Sequence, residues 1–131
     1  MKYLCLVYAE EHLLVDVPDA ECVAFDEEIR DRGQCVASEA LEPVATAATV
    51  RVRDGRTSVT DGPFAETKEQ LAGFYMIEAR DLNEAIQVAA RIPPAQVGSV
   101  EVRPVRPIRE DVARAAAETA AAPARSSDGA P

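Results

Sequence analysis

The chain has no tryptophan, a single histidine and only two lysines, Lys2 and Lys68. One histidine cannot build the multi-histidine ligand sets of many zinc sites, and it leaves His12 as the sole candidate for imidazole chemistry. The three cysteines, Cys5, Cys22 and Cys35, contain no C-x-x-C pair and leave an odd count. Each lies in an apolar setting, so reduced thiols and no metal are expected. No apolar run approaches the ~18 residues that a membrane span requires. The opening MKYLCLVYAEEH runs straight from a short apolar stretch into Glu10 and Glu11, with no small-residue cleavage site. It reads as a strand of the mature fold, and the chain as cytoplasmic with no membrane partner. A net charge of −9, from 14 basic and 23 acidic residues, provides no basic face for counterion release and so argues against nucleic-acid binding.

What is present suits a soluble globular domain and not a disordered chain. Hydrophobic residues make up 47% and charged residues 28% of 131 residues, enough for one domain that buries roughly two thirds of its unfolded surface. Arginine far outnumbers lysine and alanine is abundant, a bias that suggests a genome rich in G and C and a bacterial source.

The hydrophobic pattern divides the chain into elements. KYLCLVY, residues 2–8, is apolar at both alternating sets of positions, as in a central strand covered on both faces. From Pro18 to Arg32, Cys22, Phe25 and Ile29 recur at helical spacing, and Gly33 stops the helix. QCVASEAL, residues 34–41, reads as a second strand ended by Pro43. TVRVR, residues 49–53, and Arg56 to Thr60 form a hairpin about Asp54-Gly55, a type I′ signal. Leu71 to Ala79 is the most strand-like run, and Gly73 within it signals a bulge or a close approach. Asp81 and Glu84 make a variant capping box ahead of the stripe Leu82, Ala85, Ile86 and Ala89, which Pro93-Pro94 terminates. Gly98 to Ile108 is the last strand, placed at an edge or bent by Pro104.

The order is β-α-β, a hairpin, then β-α-β. Without the hairpin it is the ferredoxin-like βαββαβ arrangement of an α+β protein. Two helices cover one face of such a sheet, so the doubly apolar first strand predicts cover for the other face by a second copy, a homodimer. RNA-recognition modules share this order, but they stack bases on surface aromatics among basic residues, and Phe74-Tyr75 lies in no K/R-G-F pattern. The folded unit is expected over residues 1–108. Residues 109–131 form an alanine-rich tail, with a short helix and then disorder from Pro123 through Ser-Ser-Asp-Gly.

Residues 60–78, TDGPFAETKEQLAGFYMIE, concentrate the candidate chemistry. Asp61-Gly62-Pro63 has two readings. In one, the Asp61 carboxylate accepts backbone N–H groups of its own turn, Gly permits positive φ and Pro fixes φ. In the other, Asp61 is a general acid–base group whose pKa burial or a neighbouring carboxylate, Glu66 or Glu69, raises towards neutrality. Thr67 and Lys68 are either an exposed polar connection or a hydroxyl and an ammonium that hold a small acidic metabolite. Glu39 points either into the interior as a substrate contact or out to solvent. Arg51 and Arg53 share a face that is either solvated or anion-binding. His12, just past the first strand, is a surface residue or a substrate-side acid–base group.

D-G-P-F at 61–64, within VTDGPFAETKEQLAGFY, resembles the defining motif of the DGPF group of YCII-related proteins. The likeness extends to MKYLCLVYAE, to SEAL at 38–41, to ATVRVRDGR at 48–56 and to GSVEVRPV at 98–105, together spanning about residues 1–108. The resemblance implies a dimeric α+β barrel. Related barrels include isomerases, lyases and cofactor-independent oxygenases acting on small acids, and DGPF proteins are often associated with extracytoplasmic-function sigma factors. YCII-type members that look like enzymes pair a histidine with an aspartate; this chain departs from that pattern, with only His12. Two functions are thus expected: a small-molecule enzyme of isomerase or lyase type that needs no cofactor and uses Asp61, or a non-catalytic regulatory or ligand-sensing partner of a sigma factor.

Overall fold

The computed structural model of the chain describes residues 1–121. The first strand, β1 (Lys2–Ala9), leads through a short 3-10 segment, Glu11–Asp16, into helix α1 (Asp19–Asp31). Strand β2 (Cys35–Ala40) follows, then the hairpin strands β3 (Ala48–Arg53) and β4 (Arg56–Asp61), and the long strand β5 (Gln70–Glu78). Helix α2 (Leu82–Ala89), edge strand β6 (Ser99–Pro104) and helix α3 (Ile108–Ala121) complete the described residues.

Strands β2, β5, β1 and β6 lie in that order in one antiparallel sheet, the ferredoxin-like α+β arrangement. The β3–β4 hairpin forms a separate two-stranded sheet. Its turn has φ of 52° at Asp54 and 74° at Gly55, the pair of positive values that a type I′ turn requires.

Alternation along β1 sets the core. Tyr3, Cys5 and Val7 are buried against Phe25 and Ile29 of α1 and Ala85, Val88 and Ala89 of α2, with Ile77 beside them on β5, and Ala9 at the strand's end is buried too. Leu4 and Leu6 lie opposite Met76 and Phe74 on the other face and are half-buried. The sheet is therefore packed on one side only, and β1 is central between β5 and β6.

The helix boundaries follow from local chemistry. Gly33 N–H reaches Arg30 O at 2.9 Å and Gln34 N–H reaches Ile29 O at 2.8 Å, the two bonds of a Schellman motif closing α1. Asp81 caps α2 by accepting from Glu84 N–H at 2.9 Å, while Glu84 reaches back to Arg80 N–H at 3.1 Å, one residue before the position of a standard capping box. Gly73 answers its sequence signal. A Cβ there would sit 2.7 Å from Glu39 O on β2, and the ladder shifts register opposite it, between Val7 and Tyr8.

The last strand is shorter than its hydrophobic pattern predicts. It stops at Pro104, and Ile108 begins α3 instead of ending a strand, with Pro107 O accepting Asp111 N–H at 2.9 Å. Two prolines lacking N–H donors end the ladder, and the second starts a helix. The disorder expected from Pro123 onward lies outside the described residues.

Candidate functional site

A cavity of about 390 Å³ opens between α1 and the β2–β5 edge of the sheet. Val7, Leu14, Val17, Val23 and Leu41 supply much of its apolar wall, and Phe74 and Tyr75 its aromatic one. Its polar groups are Asp19, Cys22 and Asp26 from α1 and Ser38 and Glu39 from β2. A few placed polar groups on a mainly apolar concave wall is the usual make-up of a small-molecule site.

One hydrogen-bond cluster fixes the α1–β2 side. Asp26 accepts from Ser38 Oγ and from Arg30 Nε, the latter at 2.7 Å; Arg30 also donates to Ser38 Oγ at 3.2 Å, and Cys35 Sγ lies 3.7 Å from Asp26. Burial pushes the Asp26 carboxyl up, but the Ser38 and Arg30 bonds and the guanidinium charge outweigh it, leaving the group below its ordinary value. Asp26 is thus held as a carboxylate. Burial raises the Cys35 thiol and, with Asp19 and Glu21, the Cys22 thiol, so both stay protonated and unreactive near neutrality.

Tyr75 lies beside that cluster, directly opposite Ser38 in the β2–β5 ladder. Its ring packs edge-on against Phe25, with centroids 5.4 Å apart at 80°. Burial, with smaller contributions from Cys22, Asp26 and Cys35, pushes its hydroxyl up to about 12, so it is a neutral donor at physiological pH. Among the described residues no protein hydrogen bond uses that hydroxyl.

The residues singled out from sequence do not all meet here. Glu39 lines the cavity, is exposed, and enters no ion pair among the described residues. Asp61 ends β4, exposed and outside the cavity wall. Its turn is held by other groups: Gly62 N–H donates to Ala47 O at 2.7 Å and Thr49 Oγ1 to Gly62 O at 2.8 Å. Thr67 and Lys68 are exposed in the connection that follows; Thr67 Oγ1 donates to Glu69 O at 2.6 Å, and Gln70 Nε2 donates to the Lys68 carbonyl at 3.3 Å. Glu69 accepts from Ser99 Oγ at 2.7 Å, fastening that connection to β6. His12 is exposed in the 3-10 segment after β1. Among the described residues no three His, Cys, Asp or Glu side chains converge to hold a metal.

The sequence pattern alone does not place Asp26, Ser38, Tyr75 and Cys22 on one cavity. A signal for Asp26 exists: Cys22, Asp26 and Ile29 follow at i, i+4 and i+7, which sets a carboxylate on the margin of the buried stripe.

The fold and cavity together define a ferredoxin-like α+β protein with a concave pocket between α1 and the β2–β5 edge of its sheet. The YCII-related domain matches residues 1–109, and the chain belongs to that family. It is also 52% identical over 67 residues to an uncharacterised protein of Rhizobium meliloti (strain 1021), a match covering 50% of this chain and 54% of the relative. The chain thus spans about half the length of the curated relative it matches. No helix among the described residues is long and apolar enough to cross a membrane.

Proposed function

We propose that this YCII-related protein is a small-molecule enzyme of isomerase or lyase type, moving a proton next to a carbonyl without a cofactor. The reading is carried by the cavity beneath α1, where an apolar wall surrounds Tyr75, a neutral hydroxyl with no hydrogen-bond partner among the described residues, and Asp26, a carboxylate tied to Ser38 directly opposite Tyr75 in the ladder. Tyr75 donates to the carbonyl oxygen as negative charge develops on it, and Asp26, on the same face, takes the α-proton. Glu39 pairs with Phe74 and so alternates to the other face of β2, lining the cavity only at its margin. Asp61, with Thr67 and Lys68, stands outside the cavity wall and forms the alternative acid–base and anion-holding group.

Proton exchange tests the reading whatever the final product is. Small enolisable ketones and keto acids are incubated with the protein in D2O, and loss of the α-proton signal is followed by NMR. Exchange of at least one compound is expected, about 100-fold slower in Asp26→Asn and also slower than wild type in Tyr75→Phe. Exchange that survives in Asp26→Asn and is lost in Glu39→Gln or in Asp61→Asn would transfer the role to that carboxylate. No exchange, together with no ligand-induced rise in melting temperature, would sink the enzyme reading and favour a regulatory partner of a sigma factor.

A further inference from the structure

The wall of the cavity between α1 and the β2–β5 edge carries charge of one sign. Asp19 and Asp26 from α1, with Glu39 at the margin, are carboxylates, and no lysine, arginine or histidine lines the wall. Arg30 is engaged by Asp26 and Ser38 and is not part of it. Thr67 and Lys68, the hydroxyl and ammonium suited to an anion, also lie outside. Neither Asp19 nor Glu39 forms an ion pair among the described residues.

Asp19, Cys22 and Asp26 follow at i, i+3 and i+7, which places both carboxylates on one side of α1, two turns and roughly 10 Å apart along its axis. Asp19 begins the helix and is exposed, whereas Asp26 is set further in and tied to Ser38 beside Tyr75. The charge of Asp19 reaches the interior: after burial, it is the next cause that pushes the Cys22 thiol up. We propose, resting on the reading of this cavity as a substrate site, that the substrate is a small organic cation. Its carbonyl lies at Tyr75 and Asp26, and its protonated or quaternary amine lies towards Asp19.

The chemistry of the wall decides against the other ligand classes. A carboxylic acid in the same place sets its anion against Asp19 and Asp26 in mainly apolar surroundings, where like charges are weakly screened. A bare metal ion does not suit the site, because among the described residues no three His, Cys, Asp or Glu side chains converge on one point. The remaining wall, with Val7, Leu14 and Val17, calls for an organic body as well as a charge. Tyr75 adds an aromatic ring, and ring faces attract cations. The chain as a whole, at −9, draws cations to its clefts and repels anions.

Isothermal titration calorimetry of the full chain tests the charge preference with three methyl ketones of one length, whose three-carbon spacer ends in a dimethylammonium, an isopropyl group or a carboxylate. The ammonium compound is expected to bind at least about tenfold more tightly than the carboxylate, with the isopropyl compound between them. That ratio should fall at least about threefold in Asp19→Asn and stay unchanged in Glu27→Gln, which removes a charge from the same helix outside the cavity. Both side chains are exposed, so both variants are expected to fold as wild type does. A carboxylate bound as tightly as the ammonium, binding of none of the three, or a ratio that Glu27→Gln lowers as much as Asp19→Asn overturns the proposal. Proton exchange of the same compounds in D2O separates this result from the enzymatic one. Tight ammonium binding with no exchange removes the enzyme and keeps the cation site, whereas exchange with equal binding of all three keeps the enzyme and removes the cation site.

Discussion

Asp26 shows how one side chain couples the helix to the sheet. It bridges α1 to β2 through Ser38 and is balanced by Arg30 one turn on, with the Arg30–Asp26 contact at 2.7 Å. Its folded-state carboxyl is lowered, so the stability it contributes is present above the ordinary aspartate value of 3.8 and is lost as the pH falls through the lower folded value. Asp26→Asn is expected to cost about 1 kcal/mol at pH 7, from charge-assisted hydrogen bonds weakened to neutral ones. The difference from wild type should shrink as the pH falls below 3.8, as read by urea unfolding across pH. A gap that widens on acidification would contradict this account. The cluster was hard to read in the sequence because Asp26 and Ser38 are twelve residues apart, on elements of different period. Only the docking of α1 onto β2 brings them together. Glu39 was legible as a candidate, since strand alternation forces the question of where it points, but alternation alone could not supply the cavity.

Elements were more legible than sites, because their signals are local. Asp54-Gly55 fixes its turn by backbone conformation, Gly33 and Gln34 close α1 with its two end bonds, and Asp81 starts α2 with a carboxylate on Glu84 N–H. Removing that last acceptor by Asp81→Ala is expected to cost ~0.5–2 kcal/mol of unfolding free energy. Asp81→Asn, which keeps an acceptor, should lose less. Equal losses in the two variants would show that charge, not the cap bond, matters there. What local reading missed were elements whose form depends on tertiary contacts. The 3-10 segment Glu11–Asp16 follows a chain reversal in which Glu11 accepts Val44 N–H at 2.9 Å from a distant loop. The stretch after Pro104 kept a strand-like apolar pattern, yet the prolines decided it.

For the whole molecule, burial is uneven. Cys5 and Ile77 are fully buried in the middle of the sheet and Val7 is 3% exposed, whereas in α3 Ile108 is 53% and Val112 63% exposed. Amide hydrogen exchange is therefore expected to be slowest in β1 and β5 and many-fold faster throughout α3, since helices without packed faces open at little cost. Protection of α3 equal to that of β1 would mean that α3 packs against something in solution. The ferredoxin-like order was readable because β1 is apolar at both sets of alternating positions and so had to be central. The separation of the hairpin from the main sheet was not readable, since TVRVR alternates as any half-buried strand does.

The central place of β1 has a consequence in time. It is translated before every other strand, yet both of its neighbours, β5 and β6, come from residue 70 onward. At ~5–20 residues per second, the nascent strand waits several seconds with both apolar faces unpaired. During that interval α1 alone is available to shield Cys5 and Val7. The Schellman closure and the Asp26–Arg30 pair, both contained within α1 and the three residues after it, equip that helix to form before the rest of the sheet exists.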